Sequence, residues 1–359
     1  MKHFSFKSIL GLSVALIFSL TSCTSRNTQI DSSKMEREPI DYELITDSIY
    51  SSFPAFFIYT GRYVVWTDLV YNFNIFDGNF IHVVDPELKK EVAAMGRKGN
   101  GPNEFNDPTV ERYNGDTVYV YDLNLPRQAL FPLTGDTEGG KNIIPLPPQP
   151  SNIGHQIFIS KESQVYFNSD FRETPFRYII GTDSIPFGNY CVNDADVEDR
   201  FALEMNLEYD ANLEMLKCKA SNYPYIALYK KTDNSFELMT EIKGDLSDNS
   251  VKTIGVNGIL SNTLTKNYLV AIGYDYDNGE VPPRGGRDTK TLPRALFVRD
   301  HNGNLLRIFK LDEPTLRLSG CGKDNILYAI IAPQDPDRDE SQSEFELVRI
   351  DLEKAMSGK

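Results

Sequence analysis

The chain has 359 residues, 51 of them acidic and 37 basic, for a formal net charge of −14. So acidic a chain is repelled by phosphate backbones, which excludes nucleic acid as a partner class. The 19 Tyr, the 21 Phe and an apolar set dominated by β-formers point to strands, and the length overruns an ordinary domain of roughly 100–200 residues, as closed β architectures do.

Met1 to Lys7 carries Lys2 and Lys7 and no acid, and Ser8 to Leu20 is an apolar run. That run is shorter than the roughly 20 residues a spanning helix needs, so the segment reads as a secretory signal. It ends in Leu20-Thr21-Ser22-Cys23, which resembles the bacterial lipobox: an aliphatic residue, two small residues, then the cysteine that becomes the lipidated N-terminus. Cys23 is therefore the expected lipidation site, and the membrane, reached through that lipid, the first expected partner. Cleavage removes two lysines and no acid, lowering the charge to −16. Residues 23–39 are polar and aperiodic and read as a flexible tether. Surface-bound lipoproteins of some Gram-negative anaerobes carry a lysine-plus-acid cluster just after the lipidated cysteine. Here Thr24, Ser25 and Arg26 follow and the first acid is Asp31, so the resemblance favours the periplasmic face of the outer membrane.

From residue 40 onward short apolar strands ending near an Asp recur: YVVWTD from Tyr63, TVYVYD from Thr117, QVYFNSD from Gln164, YIALYKKTD from Tyr225, NYLVAIGYD from Asn267 and ILYAIIAPQD from Ile326. Their starts are 54, 47, 61, 42 and 59 residues apart. Each is followed by further strands, most plainly in ALFVRDHNGNLLRIFKL, where Asn302-Gly303 lies between alternating segments as a tight hairpin turn requires. Six units able to form small antiparallel sheets predict an all-β, six-bladed β-propeller of four-stranded blades over residues 40–359. Helical periodicity is confined to residues 194–217, where Val197, Phe201 and Glu204-Met205 have the spacing of a short amphipathic helix.

The stretch AMGRKGNGPNEFNDP, Ala94 to Pro108, looks like a phosphate cradle but lacks the Lys-Ser/Thr and the following helix of a P-loop. Its glycines read as a crossing between blades, anchored by Glu104 and Phe105, with Arg97, Lys98 and Asn100 as its candidate ligand contacts. The segment GRKGNGPNEF, together with the C-terminal LFVRDHNGNLLRIFKLDE and NILYAI, resembles TolB-like and NHL-type six-bladed propeller lipoproteins of Gram-negative anaerobes. The resemblance runs from about residue 40 to the end; it implies a propeller fold and an envelope location, and no catalytic residues.

Other chemistry is sparse. His82, His155 and His301 sit in no zinc motif, His301 falls in a hairpin turn where solvent exposure is expected, and no GxSxG elbow occurs. Cys191, Cys218 and Cys321 form no CxxC pair; either Cys191 and Cys218 make a disulfide or all three are small buried residues. The loop Tyr274 to Lys290 is the first candidate for ligand contact, through Tyr274, Asp275, Arg284 and Arg287. No cofactor and no metal are expected, although Asp275/Asp277/Asn278 and Asp335/Asp337/Asp339 offer oxygen ligands of the kind Ca²⁺ takes, outside any EF-hand pattern. Two functions compete: a non-enzymatic outer-membrane lipoprotein binding an envelope protein or glycan, and a propeller hydrolase or lyase acting on a saccharide through channel carboxylates.

Overall fold

The computed structural model describes residues 32–49, 54–68, 79–134, 143–147, 155–167, 174–190, 205–220, 225–243, 259–280, 289–334 and 344–358. After β1 (Arg37–Pro39) and β2 (Glu43–Ile49), the first blade is β3 (Pro54–Tyr59), β4 (Val64–Asp68), β5 (Asn79–Asp85) and β6 (Lys90–Lys98), with β7 (Glu104–Phe105) added in parallel at its edge. The second is β8 (Pro108–Asn114), β9 (Thr117–Asp122), β10 (Gln128–Pro132) and β11 (Ile144–Pro145); the third is β12 (Gln156–Ser160), β13 (Ser163–Phe167), β14 (Phe176–Ile180) and β15 (Asp183–Phe187). The fourth is β16 (Met205–Asp210), β17 (Met215–Ala220), β18 (Tyr225–Lys231) and β19 (Phe236–Lys243); the fifth is β20 (Ile259–Leu264), β21 (Leu269–Gly273), β22 (Ala295–Arg299) and β23 (Leu305–Lys310). In the sixth, β24 (Thr315–Gly320), β25 (Ile326–Ile331) and β26 (Phe345–Asp351) are completed by β2, which pairs antiparallel with β26. β1 pairs in parallel with β23, Arg37 opposite Ile308. A six-bladed β-propeller of four-stranded antiparallel blades results, closed by its own N-terminal strand.

Second strands such as β9, β21 and β25 are nearly continuous apolar runs because both faces of a blade are covered by neighbours. In β9, Val118, Tyr119, Val120 and Tyr121 are all buried, and β21 is buried throughout. A buried apolar cluster occupies each seam: Val65 and Phe80 meet Val118 and Phe131 between the first and second blades, and Val270 and Phe309 meet Leu318 and Val348 between the fifth and sixth. Full burial of each such side chain contributes about 1.5–3 kcal/mol. The seams are unequal. Among the described residues sixteen buried residues fill the one between the third and fourth blades, five, Met215, Ile226, Leu228, Leu264 and Leu269, the one between the fourth and fifth, and four, Tyr119, Tyr121, Leu130 and Phe158, the one between the second and third.

The helix expected over residues 194–217 is not formed where the chain is described. Met205 to Ala220 is a hairpin, with Met205 paired to Ala220 and Asp210 to Met215; residues 194–204 lie outside the described residues. The buried residues of β16, Met205, Leu207 and Tyr209, alternate with period two, while Val197, Phe201 and Glu204, which carry the helical spacing, lie outside the described residues. This also corrects the repeat. Five of the six recurring segments are second strands, but YIALYKKTD is β18, a third strand, and its counterpart β17 overlaps the end of the 194–217 stretch. The long and then short spacing of 61 and 42 residues comes from that offset.

Candidate functional site

The inner strands β3, β8, β12, β16, β20 and β24 surround a central cavity of about 620 Å³. Glu111 and Arg112 enter it from β8, Glu208 from β16, Asn262 from β20 and Arg317 from β24, with Phe56 and Phe57 supplying an apolar side. Lys217 and Lys219 also line it, although they belong to the second strand of their blade. Lys217 reaches from there to the Asn262 carbonyl of the fifth blade.

Arg112 is the hub of one wall. Its guanidinium donates to Asp210 at 3.1 Å and to the Gly320 carbonyl at 2.5 Å, and it pairs with Glu208 at 3.2 Å, tying the second, fourth and sixth blades together. Asp210, fully buried, also accepts from the amides of Gly322, Asn212 and Leu213. Lys217 forms an ion pair with Glu208 and donates to the Asn262 carbonyl at 2.5 Å. Burial pushes the Glu208 carboxyl upward, but Lys217 and Arg112 more than offset this and hold it below the usual carboxylate range. Beside this network, burial and the like charges of Arg317 and Lys217 push the half-buried Lys219 ammonium down to about 8.

His155 and Glu111 resemble a catalytic dyad, with Nε2 at 2.7 Å from the carboxylate. However, Nδ1 accepts the Leu207 amide at 3.2 Å. Both ring nitrogens are thereby engaged in the neutral Nε2–H tautomer, and no lone pair faces a substrate. Of the other lining acids, Glu208 is held by Lys217 and Arg112, and Asp107 lies in the bend just before β8. Burial and then Asp122 push the Asp107 carboxyl upward.

Arg97, Lys98 and Asn100 do not line this cavity. They lie on the outermost antiparallel strand of the first blade and the turn after it, where Arg97 and Asn100 are exposed and the Asn100 carbonyl accepts from Arg127 at 2.9 Å. The glycine loop around them is held from within: Glu104 accepts the Gly101 amide at 2.8 Å, and buried Phe105 packs edge-on against Phe80 and Phe131. A Cβ on Gly99, at φ +151°, would come within 2.2 Å of the Glu104 carboxylate. Asp275 is also consumed structurally, by two hydrogen bonds of 2.7 and 2.8 Å from Arg37. Tyr274 is half-buried beside it; Arg284 and Arg287 lie outside the described residues, as do Cys23, Cys191, Asp335, Asp337 and Asp339.

Cys218 and Cys321 are free and buried. His301, expected in solvent, is half-buried and meets the Thr265 carbonyl at 3.1 Å because the hairpin folds back on the neighbouring loop. Among the described residues no three His, Cys, Asp or Glu side chains gather as a metal site, and no helix is long and apolar enough to cross a membrane. The cavity residues escaped the sequence reading, yet they leave a signal. Glu111-Arg112 in PTVERYN, Lys217 and Lys219 in MLKCKA, and Arg317 in TLRLSG are charges embedded in otherwise apolar strands.

No family model matches the sequence, and no curated protein does. Among solved structures, a Bacteroides fragilis protein described as exported aligns over 90% of this chain and 96% of its own, with a TM-score of 0.54 and 10% identity. A DUF4221 family member from Bacteroides vulgatus covers 88% of this chain and 96% of its own, at 14% identity and a TM-score of 0.46. Regucalcin, a calcium-binding protein of Agrobacterium tumefaciens, covers the same shares at 7% identity and 0.46. At such identities the first likeness shows a shared propeller fold and nothing of ligand or reaction.

Proposed function

We propose that this protein is an exported, lipid-anchored propeller that captures a glycan in its central cavity and performs no chemistry on it. The observation that carries the reading is the state of the cavity's reactive groups: Glu208 is locked between two cations and His155 has both nitrogens engaged. A space of about 620 Å³ suits one or two sugar rings, with Phe56 as an apolar face and buried polar groups to orient hydroxyls. The lipobox supports export and anchoring through Cys23, and the TolB-like resemblance together with the exported Bacteroides fragilis neighbour supports an outer-membrane, periplasm-facing location. No cofactor takes part in this reading.

The test is retention of the purified protein on immobilised polysaccharides, with the soluble phase assayed for new reducing ends and unsaturated products. Retention without either product is the expected result. Release of either product establishes the hydrolase or lyase alternative, and retention of an envelope protein in place of any glycan replaces the glycan with a protein partner. In membranes, Cys23→Ala moves the protein to the soluble fraction.

A further inference from the structure

We propose that the Asn262 side chain reads a hydroxyl group of the cavity's ligand, its oxygen accepting from that hydroxyl, and that the ligand is a neutral sugar. This rests on the glycan reading above and names the substrate class of the same site.

Three polar residues, Ser261, Asn262 and Thr263, follow one another in the otherwise apolar sequence of β20. Two of them serve the sixth blade. The Ser261 hydroxyl accepts the Leu318 amide at 3.1 Å, and the Thr263 hydroxyl accepts the Gly320 amide at 2.9 Å. Side chains alternate across a strand, so Asn262 points away from that blade. Its backbone carbonyl accepts from Lys217 of the fourth blade. Its side-chain Oδ1 is buried without a hydrogen-bond partner, in a residue only 8% exposed that lines the cavity. Rotation about the soft terminal torsion of the asparagine presents that oxygen to the cavity. A buried acceptor without a donor costs the desolvation of the group, and a ligand hydroxyl offsets it.

A donor in the same state lies in the same wall. Arg112 Nε, in another buried residue that lines the cavity, also lacks a partner. Arg112 and Thr263 both donate to the Gly320 carbonyl, which sets the guanidinium beside the strand that carries Asn262. Hydroxyls answer both groups, because each can donate and accept. A carboxylate has no proton to give Asn262. Charge points the same way. Among the described residues four cations line the cavity, against three lining acids and the Asp210 that holds Arg112, which makes four. Arg112 and Lys217 are paired with Glu208 and Asp210, and Lys219 and Arg317 have interactions of their own. A charged ligand would add an unmatched charge at the cost of its own desolvation. A neutral ring sets hydroxyls on Asn262 and Arg112 and its C–H face on Phe56.

The experiment is calorimetric titration of the full-length protein in detergent with galactose, glucose, mannose and galacturonate, on wild type and Asn262→Leu. Leucine keeps the volume and leaves in place the backbone carbonyl that Lys217 uses. At least one neutral hexose should bind wild type, about tenfold more tightly than galacturonate does and about tenfold more tightly than it binds Asn262→Leu. Monodeoxy analogues of that hexose locate the contact. One of them should lose about tenfold on wild type and nothing further on Asn262→Leu, a coupling that general damage to the cavity does not produce. Asn262→Ala, which cannot crowd the wall, should reproduce the lost affinity and the missing coupling. Thermal melts of the sugar-free proteins give a second readout, because an apolar group in place of an orphaned acceptor relieves its burial: Asn262→Leu should melt at or above the wild-type temperature. A hexose held equally by wild type and both variants overturns the role of Asn262 and leaves the glycan reading standing. Galacturonate held as tightly as the neutral hexoses overturns the neutral class. No binding of any of the four sugars overturns the proposal, and retention on immobilised polysaccharides then decides the glycan reading by itself.

Discussion

Arg37 and Asp275 are 238 positions apart in the chain and meet through two nearly parallel hydrogen bonds, with Asp275 almost wholly buried. An acid that looks available for a cation is therefore a fastener for the segment preceding β2. Removing its charge leaves the guanidinium half-satisfied, so Asp275→Asn should cost about 2 kcal/mol in urea denaturation, while exposed Asp277→Asn stays within about 0.5 kcal/mol. Other strand-end acids work similarly as turn caps: Asp122 accepts the amides of Asn106, Asn124 and Leu125, and Asp300 those of Asn302 and Asn304. The thiols are equally structural. Burial pushes Cys321 up to about 11 and Cys218 well above its ordinary value, so little thiolate exists at pH 8 and access is closed. With Cys23 and Cys191 replaced by serine, a disulfide reagent should label neither cysteine in the native protein and both in urea.

Hairpins and seams decide what could be read without coordinates. Strands such as TVYVYD and ILYAII announce themselves because a blade buried on both faces needs unbroken apolar runs, and Asn302-Gly303 announces its turn because Gly303, at φ +87°, needs no Cβ. The β16–β17 hairpin was hidden for the opposite reason: Lys217 and Lys219 alternate with Leu216 and Cys218 because one face looks into the cavity, which blurs the apolar signal. The site was illegible because its members come from β8, β16, β17, β20 and β24, segments that only ring closure brings together. The glycine loop was legible because its anchors are local. Phe105→Ala, which empties the contact with Phe80 and Phe131, should cost about 3–5 kcal/mol, and Gly99→Ala should destabilise through its clash with Glu104, whereas exposed Arg97→Ala should stay within about 0.5 kcal/mol. Chemical denaturation followed by near-ultraviolet circular dichroism ranks the three.

At the scale of the whole molecule, every seam depends on a closed ring, and the ring depends on β2 lying against β26. Removing residues 1–31 leaves β1 and β2 in place and should preserve a soluble monomer with one cooperative melt. Removing residues 1–50 strips β26 of its partner and leaves an open sheet edge, so size-exclusion chromatography should show aggregate. The same pairing has a temporal consequence. Glu43 meets Arg349 across 306 positions, so a strand among the first to emerge waits for one among the last. Under the proposed export, this topology delays native closure until translocation is nearly complete: the polypeptide stays threadable while it moves, and becomes a ring only after its final blade has arrived.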